Sequence, residues 1–195
     1  FERSLAYHPH NAGVHYFLGR SLLEQGRDDE AVGSLKRAVE LAPYRAEHLE
    51  GYAASLSRTG DEREAIRTFE KALQLDPNSS GTLHLLGSSH KALGHFPEAR
   101  EAYESALLLD PDNAGILNSL GVVEVEVQAY ERAITIFQGL YDTYPERPDY
   151  GLNLAVAYYS LGDSARSLKI SRALKLKHPD FEDVNQFLEQ VLAVE

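Results

Sequence analysis

The side chains that could carry out chemistry are few and scattered in this sequence. Cysteine is absent, and the eight histidines never occur in pairs three or four residues apart, the spacing that would place two metal ligands on one helical turn. The sequence contains no Gly-x-Ser-x-Gly, phosphate-binding loop, dinucleotide fingerprint or His-Glu-x-x-His motif. We therefore expect no catalytic residues, no metal and no cofactor, and predict that the chain is not an enzyme.

Composition and charge argue against two kinds of partner, nucleic acid and the membrane interior, and favour one compartment. The formal net charge is -11, from 19 basic and 30 acidic residues, so nucleic acid is not an expected partner. The longest apolar runs are too short to cross a bilayer, so no membrane insertion is expected. A chain without cysteine fits a reducing compartment and favours the cytoplasm, although a periplasm stays open.

The prolines reveal an internal repeat. Six of the eight prolines are spaced by 34 residues each time: Pro9, Pro43, Pro77, Pro111, Pro145 and Pro179. A fixed period of this length predicts a solenoid, in which each unit buries its apolar face against its neighbours. Proline cannot continue a helix, so each of the six marks the place where one helix stops.

Other columns keep the same phase. Glycine recurs where a helix would need a left-handed residue at its end, with Gln128 as the exception: Gly26, Gly60, Gly94 and Gly162. Small and bulky residues then alternate at spacings of four and three, as in Ala31, Leu35 and Ala38, which places them on one helical face. Each repeat is therefore predicted to form a helix, a turn, a second helix and a stop.

These columns resemble the tetratricopeptide-repeat family. The resemblance implies an all-α fold, a right-handed superhelical solenoid of helix-turn-helix repeats (an α-α superhelix), forming a single domain over 1–195. The full repeats are expected at 12–45, 46–79, 80–113, 114–147 and 148–181. The fifth is the weakest, because Ser167 and Ser171 stand where earlier repeats have alanine and a bulky residue.

Both ends of the chain carry expectations of their own. Residues 1–9 align without gaps on 69–77, so 1–11 is interpreted as the second half of a truncated repeat with more repeats before it in the parent protein. Residues 182–195 show an amphipathic pattern and are predicted to form a capping helix. Self-association through the exposed repeat ends is a further hypothesis.

The resemblance also implies a function. In the family, the first helices of the repeats line a concave groove that commonly takes peptides or partner helices. We therefore predict a non-catalytic scaffold that binds a protein or peptide partner in this groove. The alternative is that the repeats recruit partners for a longer enzyme, such as a glycosyl- or sulfotransferase, whose catalytic domain lies outside this chain. The candidate groove residues are Tyr16, Arg20, Glu50, His84, Lys91, Asn118, Val122, Val125, Leu152, Val156 and Tyr159.

The predicted groove passes from polar residues in the first three repeats to apolar residues in the last two. The alternative is that the valines simply pack in the interior. Two specialised residue sets of the family do not match. The sites that hold a chaperone's C-terminal carboxylate are here Tyr16, Arg20, Gly51, Gly81 and Leu85, so an Hsp70 or Hsp90 tail is not expected. The sites of the asparagine ladder of sugar-transferring relatives are here Phe17, Gly51, Leu85, Ser119 and Asn153.

Two further features stand outside the groove. Arg166, Lys169, Arg172, Lys175 and Lys177 form a basic strip within one helix, whereas 97–149 holds 11 acidic residues against three arginines. The strip is either a docking site for an acidic partner or for the acidic repeats of another copy, or a solvated face partly neutralised by the final helix. His90 and Glu124 occupy a column that is apolar or aromatic in the other repeats, and mark either a locally satisfied polar contact or a functional spot.

Overall fold

A computed structural model describes residues 10–192, which form eleven α-helices and no strand. In chain order the helices are α1 (Ala12–Glu24), α2 (Asp28–Leu41), α3 (Ala46–Arg58), α4 (Glu62–Leu75), α5 (Ser80–Ala92), α6 (Phe96–Leu109), α7 (Ala114–Glu126), α8 (Tyr130–Thr143), α9 (Pro148–Ser160), α10 (Ser164–Lys177) and α11 (Glu182–Leu192). The first helix of each predicted full repeat begins at the residue where that repeat was expected to begin. Residues 1–9 of the predicted half repeat and residues 193–195 of the predicted capping helix lie outside the described residues.

The contacts between Cα atoms divide the chain into two compact units, Phe1–Pro111 and Asp112–Glu195, called unit 1 and unit 2 below. In unit 1, consecutive helices from α1 through α6 pack on one another, and α3 also contacts α1 and α5. In unit 2, the helices α7 to α11 pack in the same consecutive way, and α7 also contacts α9. First helices of neighbouring repeats therefore lie side by side within each unit.

Side chains at the helix starts satisfy backbone groups that the helix itself leaves unpaired. Asn11 caps α1 by accepting a hydrogen bond from the backbone N–H of Val14, and Asn113 caps α7 by accepting from Gly115 and Ile116. Asp163 caps α10 in the same way. Each such cap is worth roughly 1 kcal/mol, so local sequence alone favours these start points.

The second helices bury the small and bulky residues predicted from the repeat columns. In α8, Ala133, Phe137 and Leu140 are fully buried, and Phe137 lies against the backbone of α7 at Gly121. In α10, Ser167 and Ser171 are also buried, and the Ser171 hydroxyl donates to the carbonyl of Ser167 at 2.9 Å. The two serines therefore occupy core positions although they contribute little apolar surface.

The second residue after each first helix takes the left-handed conformation that the glycine column predicts. Gly26 has φ 72° and Gly162 has φ 91°, and Gln128 adopts φ 62° at the equivalent position. Around Gln128, its own N–H bonds to the carbonyl of Val125 and the N–H of Ala129 bonds to that of Glu124, which closes the helix end as in the glycine turns. Gln128 thus keeps the turn geometry without the residue that adopts it most easily.

Replacing Gln128 by glycine is expected to raise the free energy of unfolding by about 1 kcal/mol. A side chain in the left-handed region costs about 1–2 kcal/mol, part of which is offset because glycine loses more backbone entropy on folding. Urea unfolding followed by circular dichroism measures the difference. Gln25→Gly is the matched control, because Gln25 ends α1 with φ -87° and gains nothing from glycine. An equal gain from both variants would contradict the strain at Gln128.

Candidate functional site

The predicted groove residues all lie on first helices, and none of them is fully buried. Arg20 is exposed and the other ten are partly buried, as expected for side chains that line a surface. Their role in binding stays a prediction, so their surroundings are described separately for unit 1 and unit 2.

The first helix of unit 1 carries an aromatic cluster. The Tyr16 ring stacks on the ring of His48 with centroids 4.9 Å apart, and the Arg20 guanidinium lies 5.9 Å from the centre of the Tyr16 ring. Phe17 and Arg45 line the same surface depression as these residues. Burial lowers the pKa of His48, so this imidazole is neutral at pH 7. The cluster is an apolar and cationic surface built from two neighbouring repeats.

The columns did not single out Phe17 and His48 as groove residues. Phe17 stands immediately before Leu18-Gly19, in the column that holds the asparagine ladder in the sugar-transferring relatives. An aromatic residue in a surface column is a feature of the sequence that could have predicted Phe17. No sequence feature predicts His48, because only the packing of α3 on α1 brings its ring onto Tyr16.

The predicted groove residues in the middle of unit 1 are polar, and several of them contact other polar or aromatic side chains. Glu50 accepts a hydrogen bond from the Thr82 hydroxyl at 2.5 Å, which links α3 to α5. The His84 ring lies 5.5 Å from that of Tyr103. Burial lowers the pKa of His84, and the charge of Lys91 lowers it further, so His84 is also neutral at pH 7. This stretch offers hydrogen-bonding groups without a concentrated charge.

Unit 2 holds the apolar part of the predicted groove, on α7 and α9. Val122 and Val125 are partly buried and pack against the core cluster that contains Phe137 and Leu154. Leu152 and Val156 are partly buried on α9. Val122 and Val125 therefore contact the core while part of their apolar surface stays exposed, and Leu152 and Val156 also keep part of their surface exposed.

A pair of amides connects the two first helices of unit 2. The Asn153 side-chain nitrogen donates to the Asn118 side-chain oxygen at 2.8 Å, and both residues are partly buried. Asn153 is not among the predicted groove residues; the sequence places it in the column of the asparagine ladder, where it is the single asparagine. Asn118 stands one column away from that ladder, and the two meet because α7 and α9 are in contact.

Tyr159, the last predicted groove residue, lies under the capping helix. Its ring meets that of Phe187 edge to face with centroids 5.9 Å apart, and it packs against Leu168, Leu188 and Val191. Tyr159 thus contributes to the contact between α9 and α11 as well as to the surface.

Glu124 and His90, the two polar residues in an otherwise apolar or aromatic column, have different surroundings. Glu124 is fully buried, and its carboxylate lies 3.1 Å from the guanidinium of Arg132 on the next helix of the same repeat. His90 is partly buried, with its ring 5.9 Å from that of His95, and burial lowers its pKa. Within residues 10–192, no cluster of three or more histidine, aspartate or glutamate side chains could hold a metal ion.

Helical hairpins that repeat every 34 residues, each with a left-handed residue at its turn, define a helical-repeat protein. The chain belongs to the tetratricopeptide-repeat family. Residues 2–109 match the model described as the cytochrome c-type biogenesis protein H TPR domain, and residues 84–148 and 149–180 match two further tetratricopeptide-repeat models. The fold is therefore the all-α tetratricopeptide-repeat solenoid predicted from the sequence.

Several solved structures share this fold. MamA 41-end from Desulfovibrio magneticus RS-1 is 21% identical, with a TM-score of 0.80 over 87% of this chain and 97% of that chain. YrrB, described as a TPR protein with an unusual peptide-binding site, is 17% identical, with a TM-score of 0.79 over 96% of this chain and 97% of that chain. The APC/C hetero-tetramer Cut9-Hcn1 gives 21% identity and a TM-score of 0.78 over 98% of this chain and 38% of that chain.

At these identities the solved structures show the fold alone. A comparison with curated proteins gives no match. Repeat proteins of this type are generally non-catalytic adaptors, which assigns the chain to a class that works through protein interaction. No helix formed by residues 10–192 has both the length and the apolar character needed to cross a lipid bilayer.

Proposed function

We propose that this chain is a non-catalytic interaction scaffold that binds an extended peptide segment of a partner protein on the first-helix face of unit 2. The observation that carries this proposal is the combination on α7 and α9 of partly exposed apolar side chains with the Asn118–Asn153 amide pair. A surface of this kind can recognise a peptide through its side chains and through its backbone at once.

The apolar residues supply the affinity. Val122, Leu152 and Val156 keep part of their surface in contact with water, and burying an apolar side chain of a ligand fully is worth about 1.5–3 kcal/mol. Two or three such contacts contribute about 3–9 kcal/mol before the entropy of association, at least about 4 kcal/mol, is subtracted, so on their own they support only weak binding and further contacts are needed. A partner segment with several apolar residues is therefore favoured over a highly charged one.

The amides supply the orientation. The mutual hydrogen bond uses one N–H of Asn153 and one lone pair of the Asn118 oxygen. The Asn118 N–H groups and the Asn153 carbonyl oxygen are then available to a peptide backbone, which presents one donor and one acceptor at each residue. Because the amides are partly buried, their bonds to a peptide would be shielded from water and stronger than bonds at an open surface.

Changing Val122 and Val156 to aspartate is expected to reduce peptide binding at least about 100-fold while helicity is retained, because two carboxylates would replace apolar contacts. Dodecapeptides selected from a random phage library against the unmodified chain serve as the probe, and fluorescence anisotropy measures the affinity. Circular dichroism follows helicity. The matched control is the variant Thr135→Asp with Gln138→Asp, which adds the same charge on α8 of the same unit.

If the peptides bind the variant with aspartate at positions 122 and 156 as tightly as they bind the unmodified chain, the binding surface lies elsewhere. Loss of helicity in that variant would assign the valines to the interior and remove the apolar surface on which the proposal rests. Asn153→Ala provides a second measurement, because it removes the amide pair without adding charge. We expect it to weaken binding about tenfold, which corresponds to a lost hydrogen bond of about 1.4 kcal/mol.

A further inference from the structure

The outer face of α10 carries charges that the described part of the chain leaves without partners. Lys169, Arg172 and Lys175 are exposed and form no ion pair or hydrogen bond with any residue between 10 and 192. Arg166 and Lys177, at the two ends of the basic strip, are engaged: Arg166 pairs with Asp163 at 2.5 Å, and Lys177 donates to the carbonyl of Pro145. The centre of the strip therefore holds three cations directed at solvent.

The acidic residues of the final helix do not pair directly with this centre. Glu182, Asp183 and Glu189 are exposed on α11, and none of them forms an ion pair with a described residue of α10. The three cations therefore keep their hydrogen-bonding groups free for a partner.

Apolar surface accompanies the cations. Leu176 is 86% exposed, far more than leucine usually is. It lines one surface depression of unit 2 together with Lys169, Arg172 and three small or apolar neighbours, Ala165, Leu168 and Ala173. A surface that fits this face presents acidic side chains in line with an exposed apolar one.

The same chain carries that complement two repeats earlier. At the positions 68 residues before Lys169, Arg172 and Leu176, the helix α6 has Glu101, Glu104 and Leu108. Both glutamates are exposed, and Leu108 is 84% exposed. The two helices therefore carry two charged residues and an exposed leucine at the same spacing, and the charges on α6 are opposite in sign to those on α10.

We propose that the basic face of α10, defined by Lys169, Arg172 and Leu176, docks on the acidic face of α6, defined by Glu101, Glu104 and Leu108, in a second copy of this chain. Matching spacing lets the opposite charges meet in pairs and lets each exposed leucine bury against the partner helix. A foreign acidic segment would match the charge but would have no reason to share this spacing.

The two faces belong to different helices, so each contact joins unlike surfaces of two copies. Both a chain of single contacts and a dimer with two reciprocal contacts satisfy this pairing. One helix-to-helix contact buries less than the roughly 1,200 Å² of a stable interface, so binding is weak and depends on salt.

Sedimentation velocity of the 195-residue chain tests the association. We expect the average mass to rise with protein concentration in about 20 mM NaCl and to return to that of the monomer in about 500 mM NaCl, where exposed charges are screened within a few ångströms. A monomer at every concentration in low salt, up to roughly 1 mM, would overturn the proposal.

Charge reversal tests the pairing itself. The variant Lys169→Glu with Arg172→Glu has two acidic faces, and the variant Glu101→Lys with Glu104→Lys has two basic faces. Each is expected to stay monomeric alone, and an equimolar mixture is expected to associate again, because each face then meets its opposite. A mixture that stays monomeric, or a single variant that still associates, contradicts the pairing of α6 with α10.

The matched control for Lys169→Glu with Arg172→Glu is Arg63→Glu with Lys71→Glu on α4. It changes the net charge by the same amount as that variant, through two exposed residues. This variant should still associate in low salt. Loss of association in the control would assign the effect to net charge and count against a specific contact. Circular dichroism of each variant shows that the surface changes leave the helices formed.

Discussion

Replacing Gly121 by valine is expected to lower the free energy of unfolding by about 3 kcal/mol. A Cβ atom built on Gly121 lies 2.6 Å from two ring atoms of Phe137, closer than carbon atoms approach in folded proteins. Phe137 is only 1% exposed and is enclosed by the core of unit 2, so the ring has no room to move. The helices α7 and α8 must separate to admit the new side chain, and the core between them loses its packing.

Urea unfolding followed by circular dichroism measures this loss. The control is Gly139→Val on α8 of the same unit, where an added Cβ meets nothing within 4 Å. Both variants replace a helical glycine by valine, so they share the small gain in helix propensity, a fraction of 1 kcal/mol. Only the variant at Gly121 should lose stability. Similar values for the two variants would show that the contact with Phe137 is not the cause.

The second repeat supplies a natural comparison for this contact. Ala53 stands in the same column as Gly121, and Phe69 stands in the column of Phe137. Both are fully buried, so α3 and α4 accommodate one methyl group. Gly121→Ala is therefore expected to cost only about 1 kcal/mol, much less than the branched valine.

Replacing Arg132 by methionine is expected to destabilise unit 2 by about 3 kcal/mol. The Glu124 carboxylate is 0% exposed and lies 3.1 Å from the Arg132 guanidinium, whose side chain is 53% exposed. Removing Arg132 takes the guanidinium of this ion pair away while the carboxylate stays in the interior, and this is the costly way to break a buried ion pair. Differential scanning calorimetry or urea unfolding measures the change.

The companion variant Glu124→Leu is expected to be neutral or stabilising, by up to about 2 kcal/mol. Leucine already fills the equivalent position in the first two repeats, as Leu22 and Leu56, and Arg132 keeps its contact with water. The double variant of Glu124→Leu with Arg132→Met should recover the stability that the single change of Arg132 loses. A double variant as unstable as Arg132→Met alone would mean that Arg132 acts through contacts other than Glu124.

An exposed ion pair serves as the control for these changes. Arg37 and Glu40 are paired at 2.8 Å on α2 with both side chains more than 40% exposed. Arg37→Met is expected to change the free energy of unfolding by less than about 0.5 kcal/mol, because solvent screens such a pair. Comparing Arg37→Met with Arg132→Met distinguishes two effects. One is the loss of an arginine side chain, and the other is the loss of the cation that pairs with a buried carboxylate.

The sequence by itself determined where the helices begin and where the chain turns. The repeats expected to start at Ala12, Ala46 and Pro148 coincide with helix starts. Caps, turn glycines and prolines act on the backbone of their own residue and its immediate neighbours, so their effect can be predicted from the sequence without knowing the packing. The position of Gln128 in the glycine column was visible in the same way, and its left-handed backbone follows from it.

Only the tertiary structure decided which side chains meet on the candidate surface. The repeat columns place Tyr16, Asn118 and Tyr159 on the surface, but the columns do not show that these residues meet His48, Asn153 and Phe187. Those contacts join different helices. They depend on the rotation and shift of one helix relative to the next, and many core side chains together determine that rotation and shift. Periodicity specifies the face of a helix on which a residue lies, whereas packing alone specifies what that face contacts.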